Sequence, residues 1–125
     1  MWSWTAVGAY CVLIFVLSGM ARPIPFLRPE KYPPDWLLHI TEYTVLGILL
    51  ARALGFTWPW RAKSFLLLAA FILGTFYALS DEWHQYFVPY REPGLRDIAA
   101  DAAGTLAGAL LWLQSYTQQK KDTRA

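Results

Sequence analysis

Charge is scarce in this chain of 125 residues: only 16% are Asp, Glu, Lys or Arg, against 56% hydrophobic and 17% aromatic. That balance is too apolar for an ordinary soluble domain of this length and points to a membrane protein. Cysteine is nearly absent. The lone Cys11 lies in an apolar run, which excludes an intramolecular disulfide or a cysteine metal cluster and leaves it as a small packing residue. No basic stripe exists either. The eleven Lys and Arg are scattered and the formal net charge is +2, so nucleic acid is not an expected partner. Residues 1–21 carry no charge at all, and without a lysine or arginine ahead of the apolar run a membrane span is expected there rather than a cleaved signal peptide.

What is present is a set of apolar segments. Spans are expected at 4–20, 36–53, 64–80 and 98–113, followed by a polar tail at 114–125 that frays. Each must be helical, because an unpaired backbone amide is too costly in hydrocarbon. The predicted fold is therefore all-α, a single domain forming an integral membrane bundle of four transmembrane helices. The first connection, "ARPIPFLRPEKYPPD", holds five of the eight prolines and reads as a stiff extended loop. "GFTWPWRAK" is a short basic turn with tryptophans suited to the headgroup layer. Four spans put both termini on the side of that turn. Basic residues there number six (Arg52, Arg61, Lys63, Lys120, Lys121, Arg124) against five opposite (Arg22, Arg28, Lys31, Arg91, Arg96), so both termini are expected in the cytoplasm.

The polar residues fall into three helical stripes. Asp35, His39, Tyr43 and Leu46 share a face at i, i+4, i+8, i+11, with Glu42 beside Tyr43. Tyr77, Asp81, His84 and Gln85 share another, next to Glu82. Asp97, Asp101, Gly104 and Gly108 share a third. All three lie at one membrane edge. Inserting an ionisable group costs roughly 2.5–3.5 kcal/mol at a helix centre, so such groups face one another or water, and these are expected to converge. Gly104 and Gly108 form a small-residue seam admitting a neighbouring helix, which is expected to bring His84 or His39 to Asp101. The same seam would serve a homodimer if used between chains.

Three readings of this cluster stay open. One is a knot of ion pairs, with Arg91 tied to Asp97 or Asp81, that only fixes the bundle. A second is an acid–base site: His84 as base oriented by Asp81 or Asp101, His39 with Glu42 as a second proton carrier, Glu82 among the acids, and Arg91 on an anionic phosphate, with Asp35, Tyr43, Gln85 and Asp97 as binding residues. The third is a metal held by Asp81, His84 and His39. The lack of Glu-x-x-His argues against a di-iron pair, and no metal or other cofactor enters the expected site.

The set Asp35-x-x-x-His39-x-x-Glu42-Tyr43-x-x-Leu46-Gly47, then "YALSDEWHQYFVPYR", then Asp97-x-x-x-Asp101-x-x-Gly104-x-x-x-Gly108, resembles the VanZ-like family of small bacterial membrane proteins over about residues 10–113. It departs where the family usually has Asp-Lys, here Asp35-Trp36, and where it often has asparagine, here Asp101. The family is named for a protein associated with resistance to the glycopeptide teicoplanin. The resemblance implies a role at the cell envelope, with a membrane lipid or lipid-linked precursor as partner, but supplies no reaction. Turnover, recognition without turnover, and a purely structural or assembly role remain alternatives.

Overall fold

The computed structural model describes residues 2–20, 33–89 and 91–122, with side chains through 118. Four helices follow in order: α1 (Trp2–Ser18), α2 (Asp35–Thr57), α3 (Lys63–Gln85) and α4 (Leu95–Asp122). No strand occurs among the described residues. The proline-rich first connection lies almost entirely outside them.

Two helices, α2 and α3, are long and apolar enough to cross a membrane. α1 has only 17 residues, about 25 Å at 1.5 Å per residue, and α4 carries too many polar groups to meet the same criterion. The expected four spans thus become four helices of which two qualify on length and composition. α4 also runs past residue 113 to Asp122, so much of the expected tail is helical.

The packing is built on small residues. α2 and α4 are the most closely associated pair. A Cβ on Gly104 would strike the Ile40 carbonyl, one on Gly108 the Thr44 carbonyl, and one on Gly47 the Thr105 backbone, so two helix backbones touch with no side chain between them. Gly74 of α3 receives the Thr105 side chain, which makes Thr105 the point where α2, α3 and α4 meet. The seam expected on α4 is filled by α2 of the same chain.

Apolar side chains cover the outside as well as filling the core, and several ionisable ones are buried. Phe76, Val12 and Leu68 are more than half exposed, whereas His39, Asp81, Glu82 and Asp101 are buried. Such a surface suits acyl chains rather than water.

Candidate functional site

The polar residues gather at one end of the bundle, where α1 and α3 finish and α2 and α4 begin. Asp101 lies six residues into α4, about 9 Å along its axis, and is fully buried. The α2–α4 backbone contact brings His39 beside it: Nδ1 is 2.9 Å from Asp101 Oδ1, so the ring N–H donates to the carboxylate. Glu82 of α3 completes the group. One ligand-capable atom from each of His39, Glu82 and Asp101 lies within 4.8 Å of the others. Glu82 Oε2 accepts from the Gly94 N–H at 3.0 Å, which ties the end of α3 to the start of α4. Glu82 Oε1, Asp101 Oδ2 and the Tyr43 hydroxyl are buried without a hydrogen-bond partner among the described residues.

A second group faces α1. Ser18 Oγ lies 2.5 Å from Asp81 Oδ1 and 3.1 Å from the Phe15 carbonyl, and its single proton goes to the shorter, charge-assisted contact. Gln85 Nε2 donates to Asp81 Oδ2 at 3.1 Å. His84 stacks on Phe15, ring centroids 4.1 Å apart, and its Nδ1 reaches Ser18 Oγ only at 3.4 Å. Adjacent positions on a helix point about 100° apart, so Asp81 looks to α1 while Glu82 looks to α2 and α4.

These placements reassign several expected roles. Asp101 orients His39, not His84. Asp81 serves Ser18 and Gln85 rather than a histidine, and the expected metal trio of Asp81, His84 and His39 is divided between two groups. Arg91 pairs with neither Asp97 nor Asp81: its nearest acid among the described residues is Asp35, at 3.9 Å. That contact is loose. Asp35 is largely exposed, while Arg91 is mostly buried and its Nε has no partner among the described residues. Asp97 is half-buried at the first turn of α4. Glu42 sits one turn beyond His39.

Two spaces adjoin the cluster. A cleft of about 10 Å³, room for one water, is lined by Ser18, Asp35, His39, Glu42, Gln85 and Arg91. Its lining joins the two polar groups. On the other side, a mainly apolar groove of about 520 Å³ runs between the end of α3 and the start of α4, lined by Leu79, Trp83, Phe87, Leu95 and Ile98, with Glu82 and Gly94 also in its wall.

Sequence reasoning missed Ser18 and Gly94. A serine in the last turn of an apolar helix reads as a neutral polar group, and only the position of α3 reveals its carboxylate partner. Gly94 contributes through its backbone N–H, which no side-chain pattern announces.

A family model described as VanZ/LLP1 matches residues 6–116, a stretch that begins in α1, ends in α4 and contains every polar residue named above. No curated protein and no solved structure matches the chain significantly.

Proposed function

Given that the chain belongs to the VanZ/LLP1 family, we propose that it is a four-span protein of the bacterial cytoplasmic membrane that binds a lipid-linked envelope component at its polar edge and modifies it if turnover occurs. One observation carries this reading. Glu82 stands in the wall of the apolar groove and, on its inner side, belongs to the His39–Asp101 group. A ligand suited to both would be amphiphilic, its chain lying along Trp83, Phe87 and Leu95 and its head directed toward buried acid–base groups. Arg91, whose ion pair with Asp35 is long, has a guanidinium available for an anionic head at the other mouth of the cluster. In the version with turnover, His39, oriented by Asp101, moves the proton.

The test is incubation of purified protein in nanodiscs with a labelled polyprenyl-diphosphate-linked precursor. Saturable binding that falls at least about tenfold in Arg91→Ala and in Leu95→Glu is expected. For Arg91 such a drop matches the loss of one charge-assisted hydrogen bond, about 1.5–3 kcal/mol, and for Leu95 it reflects a charge placed in the apolar groove. Product formation would identify an enzyme, and binding without product a receptor. Folded wild-type protein that binds no precursor would remove the proposal. Protection of cells against teicoplanin-type glycopeptides follows from this reading as a cellular readout.

A specific observation favours a second reading, a structural or assembly subunit. The cleft near Arg91 is too small for a headgroup, and Ser18, Asp81, Gln85, His39 and Asp101 satisfy much of their polarity internally. The two separate on His39→Gln: near-native thermal stability with loss of precursor binding supports the site, whereas loss of folded protein supports the knot.

A further inference from the structure

We propose that His39, Glu82 and Asp101 form a binding site for one divalent transition-metal ion of the Zn²⁺ class. The inference does not rest on the lipid reading, and it differs from the trio that helical spacing alone suggests.

The geometry is that of a site drawn from three helices. His39 of α2, Glu82 of α3 and Asp101 of α4 offer one nitrogen and two carboxylate oxygens, with one atom from each within 4.8 Å of the others. Around a tetrahedral ion with bonds of about 2.0–2.1 Å, neighbouring ligand atoms stand about 3.3 Å apart. The widest separation among the three ligand atoms needs a contraction of about 1.5 Å at most, within the reach of a glutamate side chain.

Independent support comes from hydrogen-bond accounting. Asp101 is completely buried and Glu82 is 6% exposed, and among the described residues neither Asp101 Oδ2 nor Glu82 Oε1 has a donor. Each carboxylate has one oxygen anchored, by His39 Nδ1 or by the Gly94 N–H, and the other unpartnered. Buried carboxylate oxygens without donors are costly, and a cation satisfies both at once. Charge points the same way. Among the described residues neither Glu82 nor Asp101 has a lysine or arginine within ion-pair distance, so two anions face one imidazole. A dication with two carboxylates and a neutral imidazole sums to zero charge. The donor set selects the class: an imidazole beside oxygens favours Zn²⁺ and its first-row neighbours over Mg²⁺ or Ca²⁺, and no thiolate is present to select copper(I). Three protein ligands leave a fourth position open, the arrangement in which zinc takes water or a substrate oxygen. Gly94 then holds Glu82 from outside the coordination shell, as partners of metal ligands commonly do.

The experiment uses the full chain without a histidine tag, in detergent, stripped with chelator and titrated with Co²⁺ while visible d–d absorption is followed. Expected are saturation at one equivalent per chain, displacement by Zn²⁺, and X-ray absorption of the Zn²⁺ form showing one imidazole among oxygen ligands. His39→Gln and Glu82→Gln should weaken uptake by more than about 100-fold, beyond the roughly 10- to 100-fold loss when only an orienting partner is removed. Asp81→Asn and His84→Gln, in the neighbouring group, should leave it unchanged. Folded wild-type protein without stoichiometric uptake overturns the proposal, and the cluster is then neutralised by shared protons. A spectrum with two imidazoles also overturns it, because this site contains one histidine; both readouts need only the wild-type chain, so they stand even if a ligand variant fails to fold.

Discussion

Ser18 illustrates how much one hydroxyl carries inside a membrane bundle. Its contact with Asp81 is short and buried, and the carboxylate's other donor among the described residues is Gln85. Neutral hydrogen bonds between membrane helices average only about 0.6 kcal/mol, because the alternatives in lipid also find partners. A bond to a carboxylate is stronger, and removing the donor leaves a buried acceptor unsatisfied. Ser18→Ala should therefore cost about 1–3 kcal/mol, above that average. The effect should shrink toward that neutral average of about 0.6 kcal/mol in an Asp81→Asn background, where the acceptor is no longer anionic; chemical unfolding in mixed micelles measures both steps of this cycle. An unchanged midpoint for the single variant would mean that water replaces the serine in the folded protein. His84, by contrast, is held among the described side chains by a stacked ring and a 3.4 Å contact to Ser18, so the residue with the most catalytic look in the sequence has no carboxylate partner among them.

At the scale of helices, periodicity made the stripes legible but not their pairing. The i, i+4 spacing of Asp35, His39 and Tyr43 correctly put His39 and Tyr43 on one buried face, and it left Asp35 near the surface, where the helix starts. Whether Asp101 meets His39 or His84 depends on which helix fills the Gly104–Gly108 seam. That choice is made by backbone fit across two chains of glycine and threonine, information spread over α2 and α4 together. The distinction between Asp81 and Glu82 was lost for a related reason: neighbours on a helix look alike in a stripe and diverge by about 100° in space. The seam gives a sharp prediction. Gly108→Val would drive methyl groups into the Thr44 carbonyl, and a backbone cannot yield as a side chain does, so a loss of at least about 3 kcal/mol or of folded protein is expected. Gly8→Ala is the counterpart. Nothing lies within 4 Å of its new methyl group, and alanine favours helix by up to about 1 kcal/mol, so thermal scans should show α1 unharmed or slightly stabilised.

For the whole molecule, the arrangement of aromatic residues frames the membrane. Trp36 and Trp58 lie 22 positions apart on and just beyond α2, about 33 Å along a helix, close to the roughly 30 Å hydrocarbon thickness. Trp83, Tyr86 and Phe87 are exposed at the same end as Trp36, while Trp60 is exposed beside Trp58 at the other. Between these two belts the surface is apolar while ionisable groups are buried at one end of the bundle, which is how a bundle behaves when lipid is its solvent. The orientation proposed from the basic residues of the "WPWRAK" turn has that turn and both termini in the cytoplasm and the polar cluster at the outer face. The orientation is measurable with single cysteines in a Cys11→Ala background. Trp60→Cys and Glu92→Cys fall on exposed residues at opposite ends. A membrane-impermeant maleimide added to intact cells should label Glu92→Cys and leave Trp60→Cys untouched until the membrane is permeabilised. The reverse pattern would turn the cluster toward the cytoplasm and with it exclude an outer-leaflet ligand. Labelling of both from outside would mean that α3, the helix between them, does not cross, and the buried acids would then need a different solvent from the one argued here.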